Sequence, residues 1–368
     1  MNAMTEVTTA GETRQADPVR QMEFEERMVG ALNEAALMLM LSLGHRSGLL
    51  DALAAAGPVD SVGLAEAAGL QERYVREWLG AMTVAHVVEL DAGSGRYRLP
   101  AEHAALLTRT GDANLAAMAQ YIPLLGAVED DVLACFRDGG GVPYHRYGRF
   151  HEVMAEDSGQ TVLPALTDHI LPLVPGLTDR LRAGIEVLDI GCGRGLALMQ
   201  MAAAFPDSAF TGLDLSADAI SWAQAEALRR DLHNLRFEIR DLRDFDVTAP
   251  EAEFDLVTTF DAIHDQARPL AMLRGIRRAL APDGVYLAQD VNGSGHHHGD
   301  RDHPLGTLLY TVSCMHCMSV SLAQGGEGLG AMWGREMAQR HFREAGFGQV
   351  ETHELPHDSQ NAYYVCRP

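Results

Sequence analysis

The chain has 368 residues, 47% hydrophobic and 22% charged, with a formal net charge of −22. That length allows two domains, the balance is that of a soluble globular protein, and the acidic excess argues against unspecific binding to nucleic acid or anionic membranes. All 29 basic residues are arginine, which excludes Schiff-base chemistry, a P-loop lysine and a lysine general base.

Residues 1–20 are polar and read as a frayed tail without signal-peptide character. Five irregularly spaced cysteines make no disulfide framework and predict a reducing, cytoplasmic setting. Helical patterning starts near Met22. Residues 23–43 are apolar on one face and, from Ala35 onward, nearly all round. A helix of that kind is buried, here in a subunit interface, since the run 35–44 is too short for a bilayer. Residues 51–55, 61–68 and 72–85 read as three short helices. Strands at 87–90 and 96–99 then flank Asp91-Ala92-Gly93-Ser94-Gly95, a hairpin signal.

Helices followed by a two-stranded wing predict a winged-helix domain over 21–109. Residues 71–85 take the place of a recognition helix. Yet residues 22–109 hold seven arginines against twelve acids, a sign poorly suited to phosphate contacts. The expected role is pairing two copies of the chain into a homodimer, with nucleic acid and membrane not expected as partners. Residues 110–179 form a helical connector broken at 139–143. After the break, Tyr144, His145, Tyr147 and His151 are candidate acceptor-binding side chains.

From Glu186 strands and helices alternate, with strands at 187–190, 209–214, 235–240, 254–260 and 284–290. Helices at 196–205, 217–232 and 268–280 lie between them. This is a Rossmann-like, doubly wound α/β sheet over 180–368, closed by an antiparallel hairpin at 350–355 and 362–367. Ligands of such sheets bind at the strand ends. The first strand ends in Asp189, Gly191, Gly193 and Gly195, and glycines there let the backbone approach a ligand. The spacing is not the G-x-G-x-x-G that a nicotinamide dehydrogenase needs. Strand two ends at Asp214, an acid placed for ribose hydroxyls.

The order Asp-x-Gly-x-Gly-x-Gly resembles motif I of class I S-adenosylmethionine-dependent methyltransferases. Asp214 with Leu215, Asp241 with Leu242, and Phe260 with Asp261 follow at successive strand ends. The resemblance implies the cofactor S-adenosyl-L-methionine, the product S-adenosyl-L-homocysteine and a small-molecule acceptor with an oxygen, nitrogen or sulfur nucleophile. It places Asp241 on the adenine amino group and Phe260 and Asp261 near the methionine half. More narrowly, the chain resembles winged-helix methyltransferases often labelled transcriptional regulators. Residues 260–266, 313–330 with the core Met315-His316-Cys317-Met318, 331–334 and 361–365 carry that likeness.

His264 reads either as a general base, or acceptor-orienting residue, or as a histidine that only hydrogen-bonds its loop. Residues 291–334 run over forty positions before the next expected helix, 335–345. Insertions of that length tend to be lids or binding segments, and Tyr310, Cys314, His316, Cys317 and Trp333 are plausible pocket walls. His296–His298 and Cys314-x-x-Cys317 hold zinc-type donors without a second pair at defined spacing, so no metal is expected. The rival reading is a DNA-binding regulator that senses S-adenosylmethionine or a metabolite.

Overall fold

The computed structural model describes residues 16–111 and 113–368, and the chain divides into two compact units at Ala104/Ala105. Most of the expected tail, residues 1–15, lies outside the described residues; its last part belongs to the first helix.

In the first unit that helix spans Pro18–Ser47. The Asp17 carboxylate caps it by accepting from the Val19 amide at 3.0 Å, and Gly48 ends it with φ 77°. Sequence patterning predicts a helix buried in a subunit interface. Within the single chain only Leu41, Ser42, Gly44 and His45 are buried, and Phe24 and Leu32 are 58% and 73% exposed. Trp78 pins the helix end: its indole donates to the Met40 carbonyl at 2.9 Å, and its ring fills the space a side chain at Gly44 would need. Helices Leu49–Ala56, Ser61–Ala68 and Glu72–Val84 bury Leu50, Leu53, Leu64, Leu79 and Met82. The wing is shorter than expected, β1 (Glu89–Asp91) paired antiparallel to β2 (Arg96–Arg98).

The second unit is built on a seven-stranded sheet. Its strands are β3 (Glu186–Ile190), β4 (Ala209–Asp214), β5 (Leu235–Ile239), β6 (Phe254–Phe260), β7 (Leu280–Val291), β8 (Gln349–Leu355) and β9 (Asp358–Arg367). The spatial order is β5-β4-β3-β6-β7-β9-β8, with only β9 antiparallel to its neighbours. Alternation along each strand supplies two cores. Val187, Phe210, Leu256, Val285 and Val365 face the helices Leu196–Ala204 and Ala217–Arg229. Leu188, Val257, Tyr286, Tyr364 and Cys366 face Pro269–Ala279 and Arg335–Glu344. β7 and β9 are longer than periodicity predicts, because residues 280–283 and 358–361 are polar or bent and hide the strand signal.

The insertion after β7, expected as a lid or binding segment, is largely helical. It folds as a helix Gly306–Val312, a wider π-turn Ser313–Cys317 and a helix Met318–Ala323. Continuous apolar composition with two cysteines and a histidine masks its period. By length and composition, Pro18–Ser47 and Gly306–Ala323 would each suffice to cross a membrane; the second holds the fully buried His316 and Val320 inside the folded unit.

Two glycines separate crowding from propensity. A methyl at Gly275, inside Pro269–Ala279, would lie 2.4 Å from the Phe245 ring, whereas one at Gly80, on the exposed face of Glu72–Val84, meets nothing within 4 Å. Gly275→Ala is expected to destabilise by about 1–3 kcal/mol and Gly80→Ala to stabilise by about 0.5–1 kcal/mol. Denaturant unfolding of both variants checks this; equal effects would refute the packing argument.

Candidate active site

The turn after β3 is fixed from below. The amides of Gly191 and Cys192 donate to the Leu213 carbonyl at 2.8 and 3.1 Å, and the Gly193 amide donates to Asp214 Oδ2 at 2.8 Å. Gly191 and Gly195 have φ of 67° and 66°, and a Cβ on them would strike Ala262 at 2.4 Å and the Phe237 ring at 2.3 Å. Only glycine satisfies both the left-handed backbone and the clearance. The loop therefore lies flat over the strand ends and opens onto a cavity.

All ten residues expected to hold a cofactor line that one cavity: Asp189, Gly191, Gly193, Gly195, Asp214, Leu215, Asp241, Leu242, Phe260 and Asp261. They come from the ends of β3, β4, β5 and β6, which the parallel sheet brings side by side. Asp214 is held by two backbone amides, Gly193 on Oδ2 and Ser216 on Oδ1 at 2.7 Å, and keeps further lone pairs for a ligand. Asp241 is ion-paired with Arg243, whose hydrogen bonds hold its carboxyl below the usual range.

The inner acids behave oppositely. Burial raises Asp189 to about 7, although the Thr258 hydroxyl donates to it at 2.7 Å. Burial and then the nearby Asp290 charge raise Asp261 well above the carboxylate range. Its Oδ1 has no hydrogen-bond partner among the described residues. Asp261 also has φ 51°, a strained value for a non-glycine residue, of the kind that clusters at functional sites. A buried, unpaired carboxyl at a strand end fits a cationic ligand group.

His264 sits just beyond β6. Its Nδ1 lies 2.7 Å from Asp290 Oδ1 at the end of β7, and both side chains are almost fully buried. Burial alone would depress the imidazole; the Asp290 carboxylate outweighs it and holds the group well above the usual histidine value. Asp290 Oδ1 also accepts from the Trp333 indole at 3.0 Å and from the Val291 amide at 2.8 Å. The ring faces the cavity with its orientation set from behind. Asp265 accepts from the Tyr144 hydroxyl and is raised to about 6 by burial.

The acceptor candidates divide. Tyr144, His151 and His316 line the cavity. Tyr147 stands behind it, donating its hydroxyl to the Met315 carbonyl, and His145 is exposed on the surface. Tyr310 and Cys314 lie on the other side of the insertion helix, in a separate cleft with Leu133, Phe136 and His303. Trp333 is buried against Asp290 and lines no part of the cavity. The helix turns Tyr310 and Cys314 away: positions 308, 309, 312 and 316 face inward, and 310 and 314 outward. Sequence reasoning missed Asp290, Tyr121, Asp157, Phe150 and Asn361. An acid closing an apolar strand was the one legible signal, at Asp290.

Among the described residues, the one group with three closely placed metal-type donors is Asp261, His264 and Asp290, within 4.8 Å of one another. The 296–317 segment forms no such group. His296 stacks on His298 and His297 packs against Tyr310. In the inner trio, His264 Nδ1 and Asp290 Oδ1 are already engaged with each other.

Two family models match the chain. Residues 35–109 match the Rv2258c-like winged HTH domain and residues 181–358 a methyltransferase domain family. A 27-O-demethylrifamycin SV methyltransferase of Amycolatopsis mediterranei is 28% identical over 182 residues, covering 49% of this chain and 58% of that one. A fatty-acid O-methyltransferase of Mycolicibacterium smegmatis is 32% identical over 108 residues, 29% of this chain and 38% of that one. The matches thus span less than two thirds of these relatives. Among solved structures, human N-acetylserotonin methyltransferase in complex with SAM superposes with TM-score 0.65 at 16% identity, covering 96% of this chain and 99% of that one. The mitomycin 7-O-methyltransferase MmcR gives 0.67 at 18% identity, covering 96% and 100%. The chain belongs to the class I methyltransferase fold and carries an N-terminal winged-helix domain.

Asp157 lines the cavity, accepts from the Tyr121 hydroxyl at 3.1 Å, and is raised to about 6 by burial. A carboxyl raised by folding contributes stability in acid that is lost as pH rises through its folded value. Asp157→Asn is therefore expected to stabilise the ligand-free protein by about 1–2 kcal/mol near pH 8, after discount for solvent contact, and by nearly nothing near pH 4. Denaturant unfolding at both pH values checks the sign. A gain independent of pH would overturn it.

Proposed function

We propose that this chain is an S-adenosylmethionine-dependent methyltransferase acting on a small-molecule acceptor and releasing S-adenosylhomocysteine. What supports the reading most is the convergence of ten strand-end residues and the buried His264–Asp290 pair on one cavity. The unpaired Asp261 carboxyl suits the positive end of such a cofactor. Asp189 and Asp261 would face its ammonium and sulfonium, Asp214 its ribose hydroxyls, and Asp241 and Leu242 its adenine. When bound, the cofactor supplies a methyl carbon already activated by positive sulfur.

The chain's own work is alignment, dehydration and proton removal. His264 would take the proton of the acceptor's nucleophile, an oxygen, nitrogen or sulfur, while Asp290 holds its Nδ1 side. Tyr144, His151 and His316 would border the acceptor. The first helix, with Phe24, Leu32 and Leu39 exposed, would pair two copies of the chain. All five cysteines are free, in keeping with a reducing cytoplasm.

A regulatory reading has one observation in its favour, the winged-helix domain itself. Its presumptive reading helix opposes that role, because Arg73 and Arg76 are ion-paired with Glu77 and Glu72 of the same helix. Salt-dependent binding of duplex DNA would revive it.

His264→Ala is expected to lower kcat by about 10²–10⁴-fold while leaving S-adenosylhomocysteine affinity within about twofold. A metabolite screen for S-adenosylhomocysteine release supplies the acceptor, and calorimetry the affinity; unchanged turnover removes His264 from the mechanism. In the wild type, activity should rise with pH through a value above that of a free imidazole. Asp290→Asn removes the charge that holds it there, so the rising limb should move to lower pH with a reduced plateau. Light scattering should give twice the chain mass. A monomer, or a protein soluble only in detergent, would refute pairing through the first helix.

A further inference from the structure

His316 is a fully buried imidazole in the cavity wall, and neither of its ring nitrogens has a hydrogen-bond partner among the described residues. Its position is heavily built. Phe150 stacks on it with centroids 3.6 Å apart and planes 13° from parallel; Tyr147 and Tyr144 meet it edge-on at 4.7 and 5.4 Å. One segment far away in sequence, residues 142–147, clamps the stretch that carries it. The Tyr147 hydroxyl donates to the Met315 carbonyl, and the Val142 amide donates to Ser319 Oγ at 2.8 Å. Gly141 has no room for a side chain, since a Cβ there would lie 1.9 Å from the Ser319 carbonyl oxygen.

The fold gains nothing from a histidine at this point. A phenylalanine or leucine would satisfy the same aromatic box without burying two polar atoms. The turn is also a π-turn, a form of helix concentrated at functional sites. His264 is committed to Asp290, so among the three imidazoles that line the cavity His264 and His316 are in different states. Burial, and then the His151 and His264 charges, keep His316 well below the usual histidine value, hence neutral. A neutral ring presents one N–H and one lone pair.

We infer that His316 is a specificity-determining residue that receives a second, uncharged polar group, a hydroxyl, on a planar aromatic acceptor, away from the atom that is methylated. A hydroxyl can both donate to and accept from such a ring. The aromatic lining of Phe150, Tyr144 and His151 suits an aromatic body. A carboxylate or phosphate on the acceptor would instead meet Asp157, Asp261 and Asp265, which line the same cavity. This inference rests on the reading of the cavity as a methyl-transfer site.

The test uses the full chain saturated with S-adenosylhomocysteine, with naphthol, the dihydroxynaphthalene isomers and naphthoic acid as probes in calorimetry. At least one diol is expected to bind about tenfold or more tighter than naphthol, with naphthoic acid weakest. In His316→Phe that preference should collapse to less than about twofold, with S-adenosylhomocysteine affinity and melting temperature preserved; His316→Gln should restore part of it. For diols that are also turned over, the loss should fall in KM more than in kcat. Failure of every diol to outbind naphthol, tightest binding by the acid, or a preference surviving in both variants would overturn the inference. Failure of the wild type to bind S-adenosylhomocysteine would instead overturn the methyltransferase reading.

Discussion

One carboxylate oxygen ties the second unit together. Asp290 Oδ1 accepts from the His264 ring, the Trp333 indole and the Val291 amide. Those donors belong to the loop after β6, the end of the insertion and the end of β7. A charge so deeply buried is costly unless paired. Here the pairing also orients the side chain that faces the cavity. Trp333, expected from sequence to touch a ligand, acts one layer behind, by holding the residue that holds His264.

The inner half of the cavity is lined by acids, Asp157, Asp189, Asp261 and Asp265, while its arginines, Arg194, Arg240 and Arg243, stand by the β5 and glycine-loop side. Burial keeps each of those acids protonated to higher pH than an exposed carboxyl. Arrival of a cationic group would favour the ionised form of the nearest acid, so ligand binding and proton release are linked in sign.

Fold and cofactor wall were legible because they rest on local rules. Alternation and glycine spacing place β3, β4 and β6 within a residue or two, and parallel pairing then forces their ends together. The acceptor side was not legible, because it depends on which face of a helix points inward. The helix and π-turn between 306 and 317 rotate Tyr310 and Cys314 outward and His316 inward, and the extra residue per turn within 313–317 leaves no periodic trace. Asp157 and Tyr121 come from connector helices whose apolar pattern says only that they are buried. The exposed apolar residues of Pro18–Ser47 accord with the sequence pattern: an apolar helix implies a partner, and the partner expected from the sequence is a second copy of the chain.

The insertion between β7 and the helix Arg335–Glu344 is a wall one helix thick, with the cavity on one side and the Phe136–Tyr310 cleft on the other. It leaves the sheet at Val291 and ends at Gly334, next to Trp333, whose indole reaches Asp290, while the proposed cofactor residues stand at the ends of β3 to β6. On the proposed reading, donor recognition falls to the strand ends, and acceptor recognition to the insertion and to the connector residues Tyr144 and His151. Substitutions along the inward face of one short helical stretch would then re-specify what is modified and leave the register of every strand untouched, which would make this segment the natural place for both divergence and redesign.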